Sequence, residues 1–215
     1  MKEIRKIYVV GNQKYYASFI DNVELTDNIH EANIVLFTGG EDVDPSLYGC
    51  QKHPSTYSNI ERDMYEKGIF EQVADNQLVI SVCRGSQFCC VMNGGLLVQD
   101  CNNHAMYGTH PIYEFGTDRI YEITSTHHQM QYPYNLADSA YTILMGIVNR
   151  RCDYYMGDKI DCAMICVEPE VVHYHRKDKP QCLAIQGHPE MMRKEAPIVI
   201  RLNEIINELV EKICE

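Results

Sequence analysis

A chain of 215 residues, 45% of them hydrophobic, can bury one sizeable core but is too short for two large domains. Its net charge of −11, from 30 Asp+Glu against 19 Lys+Arg, excludes the basic footprint of a nucleic-acid binder. The longest apolar run near the N-terminus, Ile7-Tyr8-Val9-Val10, is too short for a signal core or a membrane span. With 10 cysteines and no secretory signal, a cytoplasmic chain without disulfides is expected.

From the N-terminus onward, short apolar runs bounded by turn residues recur, as buried strands of a parallel sheet do. Ile7–Val10 closes at Gly11-Asn12, and Asn33–Phe37 runs into Thr38-Gly39-Gly40. Ile60–Ala74 carries Met64, Ile69, Phe70 and Val73 near helical spacing, ahead of a third strand at Leu78–Val82. Such a β-helix-β crossover predicts parallel pairing. Ser86–Met92 is predicted to be helical up to the turn at Asn93-Gly94-Gly95. Arg119–Thr124, Cys162–Val167, Val171–Tyr174 and Cys182–Gln186 are predicted strands between polar or Pro-containing turns. After Pro197, Ile198, Leu202, Ile205, Ile206, Leu209 and Ile213 mark an amphipathic closing helix. No repeat or linker interrupts the pattern, so residues 1–215 are expected to form one α/β domain.

Three segments carry candidate chemistry. Cys83 ends a buried strand just before a helix, a turn that exposes a nucleophile to helix N–H dipoles. A free thiol of pKa about 8.5 is mostly protonated at neutral pH, so a helix N-terminus and a histidine matter to its reactivity. His188-Pro189-Glu190 follows a strand; in an extended segment positions 188 and 190 share one side, where a carboxylate can orient an imidazole. Gly39-Gly40 at a strand end can turn N–H groups toward a developing oxyanion. Cys89, Cys90, Cys101, Cys162, Cys166 and Cys182 are read as inert core cysteines. His173-x-His175 places two imidazoles on one strand face, but no CxxC or HExxH completes a set, so no metal is expected.

A series of motifs follows in order. They are Phe37-Thr38-Gly39-Gly40-Glu41-Asp42-Val43-Asp44-Pro45, Leu47-Tyr48-Gly49, Glu61-Arg62-Asp63 with Glu66, and Val82-Cys83-Arg84-Gly85-Ser86-Gln87. Gly94-Gly95-Leu96 with Gln99-Asp100, Ser125-Thr126-His127-His128-Gln129 and Gln186-Gly187-His188-Pro189-Glu190 complete it. Over about residues 33–191 the chain resembles the class I glutamine amidotransferase-like superfamily. It resembles most closely the stand-alone γ-glutamyl hydrolase branch, which includes γ-glutamyl-γ-aminobutyrate hydrolases; Cys-Arg-Gly rather than Cys-Leu-Gly points that way. The resemblance implies a flavodoxin-like three-layer sandwich with a mainly parallel central sheet and a small antiparallel extension. It implies Cys83 as nucleophile, His188 as base and acid, Glu190 as its orienter, and oxyanion donors at Gly40 and Arg84. Gly39, Gln87, Ser125, Thr126, His127 and His128 would border the substrate, with at most one of the two adjacent histidines facing it. The chain departs from the pattern at Ser81, where the family has glycine, and at Cys90, where it has asparagine. Ile160–Tyr174 matches no acceptor-side segment.

The expected activity is hydrolysis of a γ-glutamyl amide, of a small amine or of glutamine, through a γ-glutamyl thioester and without any cofactor. An ammonia-supplying glutaminase subunit with a separate acceptor enzyme is the first alternative, and a catalytically silent binding module the second. A cysteine stress sensor on the same fold would explain Cys83 but not His188-Pro189-Glu190. No nucleic acid or membrane is expected as a partner, and a homodimer stays open.

Overall fold

A computed structural model describes residues 4–214. Its first half contains β1 (Arg5–Val9), β2 (Val23–Leu25), β3 (Ile34–Phe37), α1 (Ile60–Phe70), β4 (Leu78–Val82) and α2 (Arg84–Met92). The second half adds β5 (Leu96–Val98), β6 (Asp100–Cys101), β7 (Ala105–Glu114), β8 (Arg119–Thr126) and β9 (Met130–Tyr132). It continues with β10 (Tyr141–Ile147), β11 (Tyr155–Met156), β12 (Glu168–Tyr174), β13 (Cys182–Ile185) and α3 (Pro197–Cys214). A nine-stranded sheet runs in the order β2-β1-β3-β4-β13-β12-β10-β7-β8. Neighbours from β2 to β13 are parallel. Every pairing from β13 out to β8 is antiparallel.

The parallel strands read as unbroken apolar runs because both of their faces are covered. Successive side chains alternate between two cores. Ile34, Leu36, Leu78, Ile80 and Val82 pack with Ile198, Leu202, Ile206 and Leu209 of α3. Val35, Phe37 and Val79 turn the other way, toward Phe70 of α1 and Phe88, Cys89 and Cys90 of α2. The result is the expected three-layer sandwich, with a mixed sheet between two helical layers.

Two expectations are corrected. Cys162–Val167 is not a strand: Cys162–Met164 forms a 3-10 turn capped by Asp161, whose side chain accepts from the Ala163 N–H at 2.9 Å. In that segment Ile165 is buried, whereas Cys162 and Cys166 are exposed and so are not core residues. β7 and β10 carry no clean alternation in the sequence. β7 includes Gly108 and Pro111 and shifts register between Ala105 and Thr109, and β10 shifts between Ile143 and Gly146.

Close packing also fixes Gly85. A Cβ there would lie 2.5 Å from the Phe37 carbonyl oxygen, so the first turn of α2 rests directly on the end of β3. Gly85→Ala is expected to cost about 1–3 kcal/mol by forcing backbone apart. Urea unfolding should show a lowered midpoint with unchanged slope; an unaltered midpoint would mean that α2 can lift from β3 freely. No helix among the described residues is long and apolar enough to cross a membrane.

Candidate active site

Cys83 occupies the junction of β4 and α2 with φ 54° and ψ −114°, a backbone region that non-glycine residues rarely adopt. Its surroundings hold it there. Its N–H donates to Ile185 O at 2.8 Å, and its carbonyl accepts from Ser86 N at 2.9 Å and Ser86 Oγ at 2.6 Å. The first N–H groups of α2, Arg84 among them, have no partner within the helix and point their dipoles toward this turn. Ser81, where the family pattern has glycine, fits because its small side chain is fully buried beside the Leu183 carbonyl.

His188 reaches the same place from the end of β13. Its N–H donates to Thr124 Oγ1 at 2.7 Å, tying it to β8. Gly187 makes this approach feasible, since a Cβ there would lie 2.6 Å from both Ile123 Cγ1 and Thr124 O. His188 Nδ1 is 2.7 Å from Glu190 Oε1. The pair is assembled by a 3-10 turn at Pro189–Met191, not by same-side projection from an extended segment. Burial works against charge on the imidazole, but the Cys83 sulfur and the Glu190 carboxylate beside it prevail and raise its pKa to about 10.

Gly40 has φ +140°, and a side chain there would strike the guanidinium of Arg62. Arg62 Nη2 donates to Gly39 O at 2.8 Å and Nε to Glu66 Oε1 at 2.8 Å. Glu66 and Asp63 both pair with the buried Arg84 side chain, and Asp63 Oδ2 accepts from Asp44 N at 2.7 Å. One ionic network therefore connects the Gly39-Gly40 turn, α1 and the start of α2. Arg84 contributes to it through its guanidinium, leaving its backbone N–H for the turn around Cys83.

The remaining predicted residues divide. Gln87 is buried and donates to Gln129 O at 3.0 Å, while its Oε1 has no partner among the described residues. His127 Nδ1 lies 2.8 Å from the same carbonyl. Burial and neighbouring rings, His188 included, hold the His127 pKa well below the usual histidine range. His128 turns outward between Asp42 at 3.2 Å and Asp100 at 3.3 Å, and bonding to Asp42 raises its pKa against the effect of burial. The two imidazoles diverge, although both lie in the turn between β8 and β9 and not on a strand. Ser125 is buried and bonds to His104 O at 2.6 Å, whereas Thr126 is exposed.

Two features escaped the sequence reading. Tyr16 is buried with its ring 6.1 Å from that of His188, and its hydroxyl lies where a Cβ of Gly39 would fall. Burial, then contact with Tyr15 and the charges of Glu190 and Cys83, raises its pKa far above the usual phenol value. The second is a buried group of His104, His110, Glu168 and Glu170 behind His127. Glu168 and Glu170 are spaced to share one strand face, and that was the available signal.

The peptidase C26 family model matches residues 16–139. Protein NtpR of Enterococcus hirae is 26% identical over 142 residues, 56% of this chain and 56% of its own length. A Lactococcus lactis subsp. cremoris protein assigned as a glutamine amidotransferase-like YvdE homolog is 36% identical over 85 residues, 36% of this chain and 45% of its own length. The chain thus spans about half the length of these curated relatives. Among solved structures, a Thermoplasma acidophilum protein assigned as a GMP synthase subunit superposes with TM-score 0.58 at 14% identity, over 100% of this chain and 96% of that one. A glutamine amidotransferase of Thermotoga maritima gives 0.53 at 10% identity, over 99% and 95%. At those identities the structures speak for the fold alone.

Proposed function

The chain belongs to the peptidase C26 family, and on that basis we propose that residues 1–215 form one cysteine hydrolase domain that cleaves γ-glutamyl amides of small amines or glutamine. The observation that carries this reading is Cys83, held at φ 54° beside an imidazole that Glu190 bonds at 2.7 Å. An imidazole so placed can draw the proton from the thiol, and the thiolate is the nucleophile.

In this mechanism Cys83 Sγ attacks the γ-carbonyl carbon, forming a C–S bond while the carbonyl electron pair moves onto oxygen. The N–H groups of Gly40 and Arg84 receive that oxyanion. The C–N bond then breaks as His188 passes its proton to the leaving nitrogen. Water attacks the thioester, neutral His188 takes its proton, and rupture of the C–S bond releases glutamate and restores the thiolate–imidazolium pair. Glu190 orients the ring throughout. Gly39, Gln87 and the Ser125–His128 segment border the γ-glutamyl group, and no step calls for a cofactor.

The curated relative named as glutamine amidotransferase-like supports a second reading, in which the chain supplies ammonia to a separate acceptor enzyme. Glutamate release by the purified chain separates the two. Turnover of a γ-glutamyl amine with no partner or nucleotide added, faster than of glutamine, is the expected result. A larger leaving group offers binding energy that ammonia does not. Its net charge of −11 disfavours polyanionic leaving groups. Glutaminase activity that appears only with an added acceptor enzyme would favour the second reading, and inactivity of a folded chain in both assays would favour a binding module.

A further inference from the structure

Behind the Ser125–His128 segment lies a polar cluster that the proposed reaction does not use. Glu170 Oε1 is surrounded by imidazole nitrogens: His110 Nε2 at 3.0 Å, His104 Nδ1 at 3.8 Å and His127 Nε2 at 3.9 Å. Donor atoms of His104, His110 and Glu170 all lie within 4.8 Å of one another. Tetrahedral zinc with bonds of 2.0–2.1 Å sets its ligand atoms about 3.3–3.4 Å apart, within the range of these separations. All of these side chains are at least nine-tenths buried.

Hydrogen bonding fixes which nitrogens are free. Glu168 Oε1 accepts from Arg151 N, Cys152 N and Tyr155 Oη at 2.9, 2.9 and 2.7 Å. Its Oε2 sits 3.0 Å from His104 Nε2. A carboxylate only accepts, so Nε2 carries a proton and Nδ1 is the nitrogen left to serve as a ligand atom toward Glu170. The single Ser125 proton goes to the His104 carbonyl at 2.6 Å, rather than to Nδ1 at 3.3 Å. In His127, Nδ1 donates to Gln129 O at 2.8 Å, leaving a buried Nε2 that faces Glu170 Oε1 at 3.9 Å and has no hydrogen-bond partner among the described residues. Lone pairs of His104 and His127 thus face a carboxylate oxygen that His110 Nε2–H bonds at 3.0 Å. A metal ion would take the place of that proton, which the buried His110 Nδ1, without a partner among the described residues, can carry instead. Among the described residues no Lys or Arg pairs with Glu168 or Glu170. A buried carboxylate without a fixed cation is costly, and a metal ion bound to Glu170 would remove that cost.

We infer that His104 Nδ1, His110 Nε2 and Glu170 Oε1 form a site for a divalent transition-metal ion of the zinc type, with His127 Nε2 facing its fourth position. A carboxylate holding the far nitrogen of a ligand histidine, as Glu168 holds His104, is the usual outer support of such sites. The alternative set of His104, Cys152 and Glu168 shares one residue, but Glu168 is already filled by its four hydrogen bonds. The ion is a structural tie. It joins the start of β7, the segment after β8 and β12, where the Glu170 carbonyl accepts from Gln186 N at 2.8 Å, two residues before His188.

The test measures metal content of the full chain from zinc-supplemented culture, followed by Zn²⁺ and Co²⁺ titration of chelator-treated protein. One zinc per chain and a Co²⁺ visible spectrum without a thiolate charge-transfer band are expected. Glu170→Gln and His110→Ala should each weaken Zn²⁺ binding by on the order of a hundredfold or more, and Glu168→Gln by about 10–100-fold. Cys152→Ser should leave it unchanged. Far-UV circular dichroism checks each variant, and if His110→Ala does not fold, the nearly isosteric Glu170→Gln and the wild-type Co²⁺ spectrum decide. Folded wild-type protein that takes up no zinc, a thiolate band, or binding indifferent to Glu170→Gln would overturn the assignment.

Discussion

Cys83→Ser is expected to retain the fold and lose turnover by on the order of 10³-fold or more, toward the losses seen when a nucleophile is removed. The hydroxyl matches the thiol in size, but it ionises far less readily and the pair with His188 gives it no thiolate. Selective labelling gives the complementary result. A glutamine-mimicking diazoketone should alkylate Cys83, which is only 9% exposed, ahead of Cys162 and Cys166, which lie open at the surface. A plain alkylating reagent should reverse the order, because it responds to access and not to binding. Peptide mass mapping distinguishes the patterns, and a diazoketone label spread over several cysteines would defeat the nucleophile assignment. The strained backbone adds a third readout. Non-glycine residues in such regions carry about 1–3 kcal/mol of strain, so Cys83→Gly should be inactive yet at least as stable as the parent chain. A clear loss of stability in that variant would mean that the turn is held by the side chain.

What could be read from the sequence follows from how far apart the interacting residues are. β3, β4 and α2 were legible because strands buried on both faces must be apolar throughout, and a helix directly after the third strand places Cys83 at its start. His188 and Glu190 were legible as neighbours, although the geometry that joins them is a turn and not an extended strand. The support beneath them was hidden. Arg62 reaches back 23 positions to Gly39 O, and nothing local indicates that its guanidinium fills the space a side chain at Gly40 would need. Glu66 joins Arg62 to Arg84 across another 18 positions. The histidine cluster was less legible still: His104, just before β7, and Glu168, at the start of β12, are 64 residues apart and meet through the antiparallel half of the sheet. That half was underpredicted because β7 and β10 are broken by register shifts, which destroy the two-residue period by which a strand is recognised. His173 and His175, the pair that the sequence did offer, settle instead beside Gln181 and Thr142.

His188→Ala is expected to lower kcat/KM by roughly 10²–10⁴-fold, the range of a general acid–base group. Glu190→Gln should lower kcat more than it raises KM, because charge support for the imidazolium matters most in the transition state. Its pH profile separates that role from simple packing. Despite burial, Cys83 and Glu190 raise the His188 pKa to about 10, so the wild type keeps its proton for the leaving amine well into alkaline solution. Removing the carboxylate charge leaves Cys83 alone to oppose burial, and the alkaline limb of kcat/KM should move to lower pH. Stability should follow the same sign. A folded-state pKa of about 10 against about 6.5 when unfolded gives a contribution complete below pH 6.5 and lost as pH rises toward 10. The urea midpoint of the wild type should therefore decline across that window, and Glu190→Gln should flatten the decline. A Glu190→Gln enzyme with kcat within about twofold of wild type and an unmoved alkaline limb would show that Glu190 neither orients nor charges His188. The proton relay would then have to rest on Cys83 and His188 alone.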